Sequence, residues 1–271
     1  MDLRGMSLNT KKAYLLHVKH FSEHFGKPTE QMGEAEIRTF LHHGLVVRKL
    51  SRSNAVVCYC ALRFFFETTL GQNWNARTLP IVKRRKKLPH ALSKEEILLV
   101  FNATTNLKHR AVLMTAYGAG LRVSELANLK IADIDSKNMQ LRINQGKGNV
   151  DRYSLLSVAN LEVLREYYKQ YRPKDWLFPG QDPTKAIHPG SLSMVFKEAK
   201  RKVGIKKPVS IHSLRHSFAT HLLEDGVPIA HIQKLLGHKS AGTTCIYIHI
   251  SRLSLLKIKS PLDTMPEPND E

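Results

Sequence analysis

The stretch HSLRHSFATHL, residues 212–222, carries the strongest structural signal in this sequence of 271 residues. Its apolar residues Leu214, Phe218 and Leu222 recur at every fourth position, which predicts a helix with one buried face. Ser210 precedes the pattern as a candidate helix cap. The stretch therefore predicts a helix that packs one side into a core and leaves its polar residues on the other side.

The polar residues of this helix are candidates for chemistry. His212 and Arg215 are three residues apart, so both should project from one side near the helix start. His212 and His216 have the spacing of a metal-binding pair, but the sequence has no His-Glu-x-x-His motif and no cysteine cluster beside them. We therefore interpret His216 and His221 as packing or supporting residues.

A second motif, GAGLRVSEL, spans residues 118–126. Its two glycines predict a turn, and Arg122 should then lie in the first turn of a helix. Helix N-termini favour anions, and a guanidinium adds a bidentate fork for phosphate. Glu125 is three residues further on and should hold the Arg122 side chain. An exposed Arg–Glu ion pair would give the same pattern and stays an alternative at this point.

A third motif, LLGHKSAGTTCIY, spans residues 235–247. Gly237 should end a helix and leave His238 on an exposed turn. Tyr247 follows nine residues later on a short apolar segment. A tyrosine among apolar neighbours is usually a core residue, so this motif alone does not identify a site.

The charge of the chain points to a polyanionic partner. Lys and Arg number 42 against 23 Asp and Glu, a net charge of +19. Nucleic acid is the commonest partner of such proteins. A merely basic soluble protein is the simpler alternative, and an anionic membrane is disfavoured because no basic amphipathic helix stands alone at a terminus. Three cysteines give no disulfide framework, and no apolar run reaches membrane-spanning length, so we expect a cytoplasmic, nucleoid-associated protein without membrane contact.

The first 80 residues indicate a helical domain. Helices are expected after Ser7 or Asn9, over 33–45 and from Ser51 or Ser53 to Gly71, with Cys58 and Cys60 as core thiols. A run of five cations follows between two prolines, which predicts an extended linker that lies against DNA phosphates or is simply solvated: Lys83, Arg84, Arg85, Lys86 and Lys87.

A second domain begins at Ser93, a candidate N-cap with acidic residues in the following turn. A hairpin is predicted from residues 139–143 and 152–156 around a turn at 146–149. The tail 261–271 is acidic and contains proline, which is typical of disorder. Helices are predicted at about 93–103, 107–118, 122–128, 158–171, 189–203, 211–225 and 228–236.

Taken together, the motifs resemble the tyrosine recombinase family of phage integrases and Xer-type recombinases. The resemblance covers about residues 7–260 and includes GAGLRVSEL, the QGKG turn, HSLRHSFATHL, LLGHKS and TTCIYIHI, with ALRFFF in the N-terminal part. Six chemical positions occur in the family's order: Arg122, Lys147, His212, Arg215, His238 and Tyr247.

The resemblance implies a mainly α fold with a small antiparallel sheet, arranged as a two-domain clamp on double-stranded DNA. An N-terminal helical, SAM-like core-binding domain would span residues 1–80. A basic linker would occupy 81–92, an α-rich catalytic domain 93–260, and a disordered tail 261–271.

The resemblance also implies roles in site-specific recombination or integration, as in mobile genetic elements. Tyr247 would attack the scissile phosphate and form a 3′-phosphotyrosine with a free 5′-hydroxyl. Arg122 and Arg215 would hold the non-bridging oxygens, and His238 would add a hydrogen bond.

Elementary chemistry supplies two further roles. The phenol needs a base, because its ordinary pKa is about 10. His212 is expected to accept that proton, and Lys147 is expected to protonate the leaving 5′-oxygen, or else only to contact the DNA backbone. No metal or nucleotide cofactor is required, because the phosphotyrosine bond stores the energy of the broken phosphodiester.

Exchange between two DNA sites needs four cuts, so a homotetramer on two sites is expected, with a monomer or weak oligomer in the absence of DNA. The apolar segment 248–258 should pack on a neighbouring subunit or on its own chain. The alternatives are a type IB topoisomerase-like activity, which joins no two duplexes, a non-catalytic DNA-binding protein, and a helical module that binds proteins or small molecules.

Overall fold

The computed structural model describes residues 1–75, 79, 89–144 and 151–248. The chain divides into two compact units, Met1–Lys87 and Leu88–Glu271. Helices dominate both units, and a small antiparallel sheet lies in the second. The predicted fold class, mainly α with a small antiparallel sheet, is confirmed.

Among its described residues, the first unit has three α-helices: α1 (Leu8–Phe25), α2 (Glu34–Val46) and α3 (Arg52–Phe64). The Ser7 hydroxyl accepts a hydrogen bond from the backbone of α1 at 3.2 Å, as predicted for a cap. A π-helical turn continues α3 to Thr69, so the third predicted helix is present with a change of helical type at its end.

Aromatic rings fill the core of this unit. Phe21 is fully buried and meets Phe25, Phe40 and Phe66 edge to face, with ring centroids 5.3–5.9 Å apart. This is the favourable geometry for aromatic pairs, because the positive edge of one ring meets the negative face of the other. The core therefore explains the closely spaced phenylalanines of the first 70 residues.

The two cysteines of α3 were predicted to be core thiols. Cys58 is buried, and burial raises the pKa of its thiol to about 12. Cys60 is partly buried and packs against the same core. Both are free thiols.

The second unit contains the remaining described helices. The bounds of the first seven agree with the predictions to within two residues, whereas the short last helix was not predicted. The helices are α4 (Lys94–Asn102), α5 (Leu107–Gly118), α6 (Val123–Ala127), α7 (Val158–Tyr171), α8 (Pro189–Lys202), α9 (Ile211–Glu224), α10 (Ile229–Leu236) and α11 (Ala241–Thr244). A 3-10 turn, Cys245–Tyr247, follows α11.

The sheet consists of β1 (Ile134–Asp135), β2 (Gln140–Ile143) and β3 (Arg152–Leu155), antiparallel in the order β1-β2-β3. The predicted hairpin is present as β2 and β3, with Ile143 opposite Arg152. Its turn, predicted at 146–149, lies outside the described residues. β1 was not predicted, because two residues are too short to show an alternating pattern.

The main core of this unit surrounds α5, which packs against α7 and α9. Leu214, on the predicted inner face of α9, is fully buried in that core. A smaller cluster joins α9 to α10 and to the 3-10 turn: it contains Phe218, Ala219, Ile232, Leu236 and Tyr247. The apolar face of α9 therefore takes part in both clusters, Leu214 in the main core and Phe218 in the smaller one.

Across the described ranges, no helix combines the length and the apolar character that crossing a membrane requires.

The start of α4 yields a stability prediction. The Ser93 hydroxyl accepts from the Glu96 backbone N–H at 3.2 Å, and the Glu96 carboxylate accepts from the Ser93 N–H at 2.8 Å. Ser93→Ala removes one arm of this capping box and should lower the free energy of unfolding by about 1 kcal/mol in urea titrations. Ser93→Asp keeps an acceptor and should lie close to wild type, and equal urea midpoints for all three proteins would contradict the prediction.

Candidate active site

Arg122 lies immediately before α6, one residue earlier than the predicted first turn. The turn that leads into it passes through Gly120, which has φ of 58°. A Cβ at this position would approach Phe218 Cδ1 to 2.3 Å, so the turn requires glycine for two reasons. The Arg122 backbone N–H and Nη1 both donate to Glu125, at 2.8 and 2.6 Å, and the predicted contact between these side chains is present.

Glu125 is the centre of a buried ion cluster. Its side chain is only 4% exposed, so the exposed ion pair is ruled out. Arg152 donates to both carboxylate oxygens at 2.8 Å, and Arg215 Nη1 lies 3.7 Å from Oε2. Burial acts to raise the Glu125 pKa, but the hydrogen bonds and charge of Arg152, together with hydrogen bonds from Arg122, outweigh it and hold the pKa at about 2. The carboxylate is therefore ionised at neutral pH.

The same three arginines also meet at the carboxyl end of α10. Arg152 Nε donates to Leu235 O at 2.8 Å. Arg215 Nη2 donates to Leu236 O at 2.6 Å, and Arg122 Nη2 to the carbonyl of residue 237 at 3.3 Å. The last carbonyls of a helix have no partner within the helix and carry partial negative charge. These carbonyls therefore position three guanidiniums that would otherwise repel one another.

Sequence reasoning missed Arg152. A signal was available, because the alternation of β3 places residues 152 and 154 on the buried side of the sheet. An arginine at a core-facing strand position needs a buried acceptor. Its partner, Glu125, was recognised only for its contact with Arg122.

The cluster carries surplus positive charge. Arg215 is 1% exposed, and burial, followed by the charge of Arg122, lowers its pKa to about 10, so it stays protonated at neutral pH. Three guanidiniums against the single Glu125 carboxylate leave a surplus of two positive charges. A buried surplus of this kind suits a bound anion such as phosphate.

His238 was predicted on an exposed turn, and the structure corrects this: the residue is partly buried just after α10. Its Nε2 lies 3.1 Å from Arg215 Nη2, and its Nδ1 lies 2.9 Å from Thr244 Oγ1. Since a guanidinium only donates, Nε2 accepts and Nδ1 carries the proton. Burial, then the charges of Arg215 and Arg122, lowers the His238 pKa to about 4, so the ring is neutral at pH 7.

Tyr247 ends the 3-10 turn after α11 and is 2% exposed. Its ring stacks on His238 with centroids 6.4 Å apart, and its hydroxyl oxygen lies 3.1 Å from His216 Nδ1. Burial raises the Tyr247 pKa, while the charges of Arg215 and Arg122 act in the opposite direction. The structure thus brings the phenol, an imidazole and the arginine cluster together from three separate parts of the chain.

His212 is exposed at the start of α9, as its position predicts. Desolvation by the surrounding protein lowers its pKa, and the charges of Arg215 and Arg122 add to this effect. The expectation was that His212 accepts the proton of the phenol. In the structure the Tyr247 hydroxyl contacts His216, which was interpreted as a packing or supporting residue. His221 is a buried packing residue, and its Nδ1 lies 2.8 Å from Tyr117 Oη.

The remaining predicted site residues, Lys147 and the linker cations Lys83–Lys87, lie outside the described residues and stay predictions. Segment 248–258 also lies outside them, except for Ile248. Where side chains are described, no three His, Cys, Asp or Glu residues lie close enough to share a metal ion.

Two family models match this chain, and they divide it at nearly the same place as the two compact units of the structure. Residues 83–253, more than half of the sequence, match the phage integrase family, and residues 1–76 match the phage integrase N-terminal SAM-like domain. The chain belongs to the phage integrase family. The resemblance predicted from the motifs is confirmed.

This integrase-family chain has close relatives along its whole length. It is 42% identical over 269 residues to a putative integrase/recombinase of Sinorhizobium fredii, covering 99% of this chain and 87% of the relative. It is 35% identical over 254 residues to the tyrosine recombinase XerA of Pyrococcus horikoshii, covering 93% and 86%.

Solved structures share its fold. The XerH site-specific recombinase bound to palindromic difH substrate, in a post-cleavage complex, superposes with a TM-score of 0.76 at 25% identity, covering 96% of this chain and 82% of that one. The lambda integrase tetramer bound to a Holliday junction gives a TM-score of 0.71 at 22% identity, covering 89% and 72%.

The depressed pKa of Glu125 yields a pH-dependent stability prediction. Because the folded pKa, about 2, lies below the ordinary 4.5, the carboxylate stabilises the fold above pH 4.5 and loses this contribution as the pH falls toward 2. The stability difference between wild type and Glu125→Gln should therefore be constant from neutral pH down to about 5 and then shrink, by up to about 3 kcal/mol.

Urea titrations at stepped pH measure this difference. Glu198→Gln is the matched control, since Glu198 is exposed and pairs with Arg201 on the surface of α8. Its effect on stability should be small at every pH. A Glu125→Gln difference that stays constant down to pH 3 would show that the cluster does not depend on the ionised carboxylate.

Proposed function

We propose that this chain is a site-specific DNA recombinase or integrase that cleaves and rejoins DNA strands through a covalent 3′-phosphotyrosine at Tyr247. The observation that carries the proposal is the contact of one phenol with a buried arginine–imidazole cluster: Tyr247 stacks on His238, and His238 contacts Arg215. A phosphodiester bound at this cluster would lie beside Tyr247, whose hydroxyl the family motifs assign as the nucleophile.

The charge of the cluster fits the reaction. A phosphodiester carries one negative charge, and the phosphorane-like transition state carries a second. The cluster has a surplus of two positive charges, in a site where burial weakens solvent screening. Cations fixed before the reaction lower the barrier without reorganising, and the loss of one such donor typically costs about 10²–10³ in rate.

The roles follow from these positions. Arg122 and Arg215 bind the non-bridging oxygens. His238 adds a hydrogen bond from Nε2 once that atom carries the ring proton, because in the described state it accepts from Arg215. Tyr247 Oη forms a bond to phosphorus while the bond from phosphorus to the 5′-oxygen breaks. Lys147 supplies the proton to the leaving 5′-oxygen. Rejoining is the reverse sequence, with a 5′-hydroxyl attacking the phosphotyrosine, so the reaction consumes no cofactor.

In the described state Tyr247 is buried, so the reaction requires the turn that carries it to move toward the phosphate. The segment is short: α11 has four residues and the 3-10 turn three. Few backbone hydrogen bonds hold it, so a shift costs little compared with moving one of the longer helices. The arginine cluster, by contrast, is fixed on α6, β3 and α9.

We further propose the domain limits and partners of this recombinase. Residues 1–80 form a DNA-binding core-binding domain, 81–92 a basic linker, 93–260 the catalytic domain, and 261–271 a disordered tail. The substrate is double-stranded DNA, and the active form is a homotetramer on two sites. The lambda integrase structure on a Holliday junction is a tetramer, which supports this assembly.

Loss of the nucleophile tests the reaction. Tyr247→Phe should form no covalent adduct with a nicked duplex taken from the DNA that flanks the gene, while binding that duplex as wild type does. The nick lets the cleaved fragment diffuse away and traps the adduct, which a denaturing gel detects. Tyr153→Phe changes an exposed tyrosine of β3 and should keep the adduct. An adduct with Tyr247→Phe would contradict the assignment.

Assembly state separates a recombinase from a type IB topoisomerase-like enzyme. We expect four chains on two duplexes by light scattering, and a monomer or weak oligomer without DNA. Tyr247→Phe should assemble in the same way, because it changes only the chemistry. Relaxation of supercoiled plasmid by the monomer, without any joining of two duplexes, would favour the topoisomerase-like activity instead.

A further inference from the structure

The hydrogen bond between Tyr247 and His216 joins the proposed nucleophile to a histidine that has no role in the reaction described so far. The two atoms, Tyr247 Oη and His216 Nδ1, are 3.1 Å apart. We propose that His216 is a catalytic residue, and that it accepts the Tyr247 proton as the phenol attacks the phosphate. The inference rests on the proposed function and names the base for that reaction.

The surroundings of His216 hold its ring in place. His216 lies in the second turn of α9 and is partly buried. The His212 ring meets it edge to face at 4.8 Å, and the Tyr247 ring lies 5.8 Å away on the 3-10 turn. His216 therefore lies between an exposed imidazole and a buried phenol, and a proton leaving the phenol reaches it before His212.

His216 is available as an acceptor at neutral pH. Burial, then the charges of His212 and Arg215, lowers its pKa to about 4, so the ring is neutral. The groups that face it are His212 and Arg215 on α9, Tyr247 on the 3-10 turn and His238 after α10. For Nδ1 to accept, the ring proton must be on Nε2.

In the resting state the proton belongs on the phenol, because burial raises the Tyr247 pKa and lowers that of His216. Two changes reverse this balance during the reaction. A bound phosphodiester offsets the charge of Arg215 and so favours an imidazolium at His216. As the bond between Oη and phosphorus forms, the phenol oxygen loses electron density and its proton becomes acidic. The transfer therefore accompanies the attack, and no free phenolate forms. The shift that brings the phenol to the phosphate must keep its contact with His216.

The step balances. The Tyr247 O–H bond breaks and the proton passes to His216 Nδ1, which gives an imidazolium. The phenol oxygen's electron pair forms the bond to phosphorus, and the bond to the 5′-oxygen breaks with its electron pair on that oxygen. The 5′-oxygen takes its proton from the separate acid assigned above. In the reverse direction His216 returns its proton to the departing phenol oxygen.

Single-turnover cleavage measured against pH tests the assignment. The probe is the nicked flanking duplex, with the cleavage point mapped from the wild-type adduct. We expect the wild-type rate to be nearly independent of pH between about 7 and 9, because the base is already neutral. His216→Gln should be about 100-fold slower at pH 7, and its rate should rise about tenfold per pH unit as phenolate forms.

His212→Gln is the matched variant one helical turn away. This variant should cleave more slowly than wild type. Its cleavage rate should still be independent of pH, because His216 remains in contact with the phenol. His231→Gln, an exposed histidine on α10, should behave as wild type throughout. A sloping profile in His212→Gln and a flat one in His216→Gln would transfer the role to His212 and overturn the proposal.

Two measurements exclude a purely structural effect. Free imidazole should raise the cleavage rate of His216→Ala at least about tenfold, which a packing defect would not allow. DNA affinity and urea midpoints of His216→Gln should stay close to wild type, because the glutamine amide can still hydrogen-bond the phenol.

Nitrogen NMR of the histidine side chains tests the contact without DNA. In ¹⁵N-labelled wild type, the His216 proton should be on Nε2, and Tyr247→Phe should shift the Nδ1 resonance while His212→Gln leaves the tautomer unchanged. A proton on Nδ1 means that His216 donates to the phenol, and this result overturns the proposal.

Failure of the proposed function is distinguishable from failure of this inference. A wild-type chain that forms no adduct overturns the recombinase reaction and the role of His216 together. A wild-type adduct combined with a flat, wild-type-like profile for His216→Gln overturns the role of His216 alone.

Discussion

The interaction on which the catalytic unit depends is the buried pairing of Glu125 with three arginines. Arg122, Arg152 and Arg215 come from a helix start, a strand and a second helix, and like charges so close together would separate without compensation. One carboxylate and three carbonyls at the end of α10 supply that compensation. Breaking such a buried pair leaves uncompensated charge, which is far more costly than losing an exposed ion pair. The same contacts fix the direction of the guanidiniums, so the atoms that stabilise this unit are also those proposed to bind the phosphate.

The proposed nucleophile is held by different forces. Tyr247 packs in an apolar cluster with Phe218, Ile232 and Leu236, and its polar contact is with one imidazole. No hydrogen bond between the phenol and a guanidinium is present among the described side chains. The arginine cluster is therefore held by ionic contacts, whereas the proposed attacking group is held mainly by packing and can be displaced independently. His238 connects the two parts, because its ring stacks on the phenol and its Nε2 accepts from Arg215.

Local sequence signals predicted most of the fold. Caps such as Ser7 and Ser93, the fourfold repeat in α9 and the alternation in β2 and β3 each reflect short-range chemistry, and the corresponding elements are present. The family and the fold class were likewise predictable, because motif order survives in the sequence. Contacts between distant segments were not predictable from local signals. Nothing local tells that Arg152 reaches Glu125, and His212 and His216 share an i, i+4 spacing that does not reveal which of them meets residue 247.

Two glycines, which carry no functional group, help to decide whether a related gene encodes an active protein. The carbonyl of Gly120 accepts from Arg215 at 2.7 Å, and a Cβ at Gly237 would come within 2.7 Å of Arg152 Cδ. Both residues adopt left-handed backbone angles, with φ of 58° and 62°. A mutation to alanine at either place would misalign the guanidiniums while leaving every reactive side chain in the sequence. Genome surveys that check only the reactive residues would then count an inactive copy as intact, so these two backbone positions belong in the criterion.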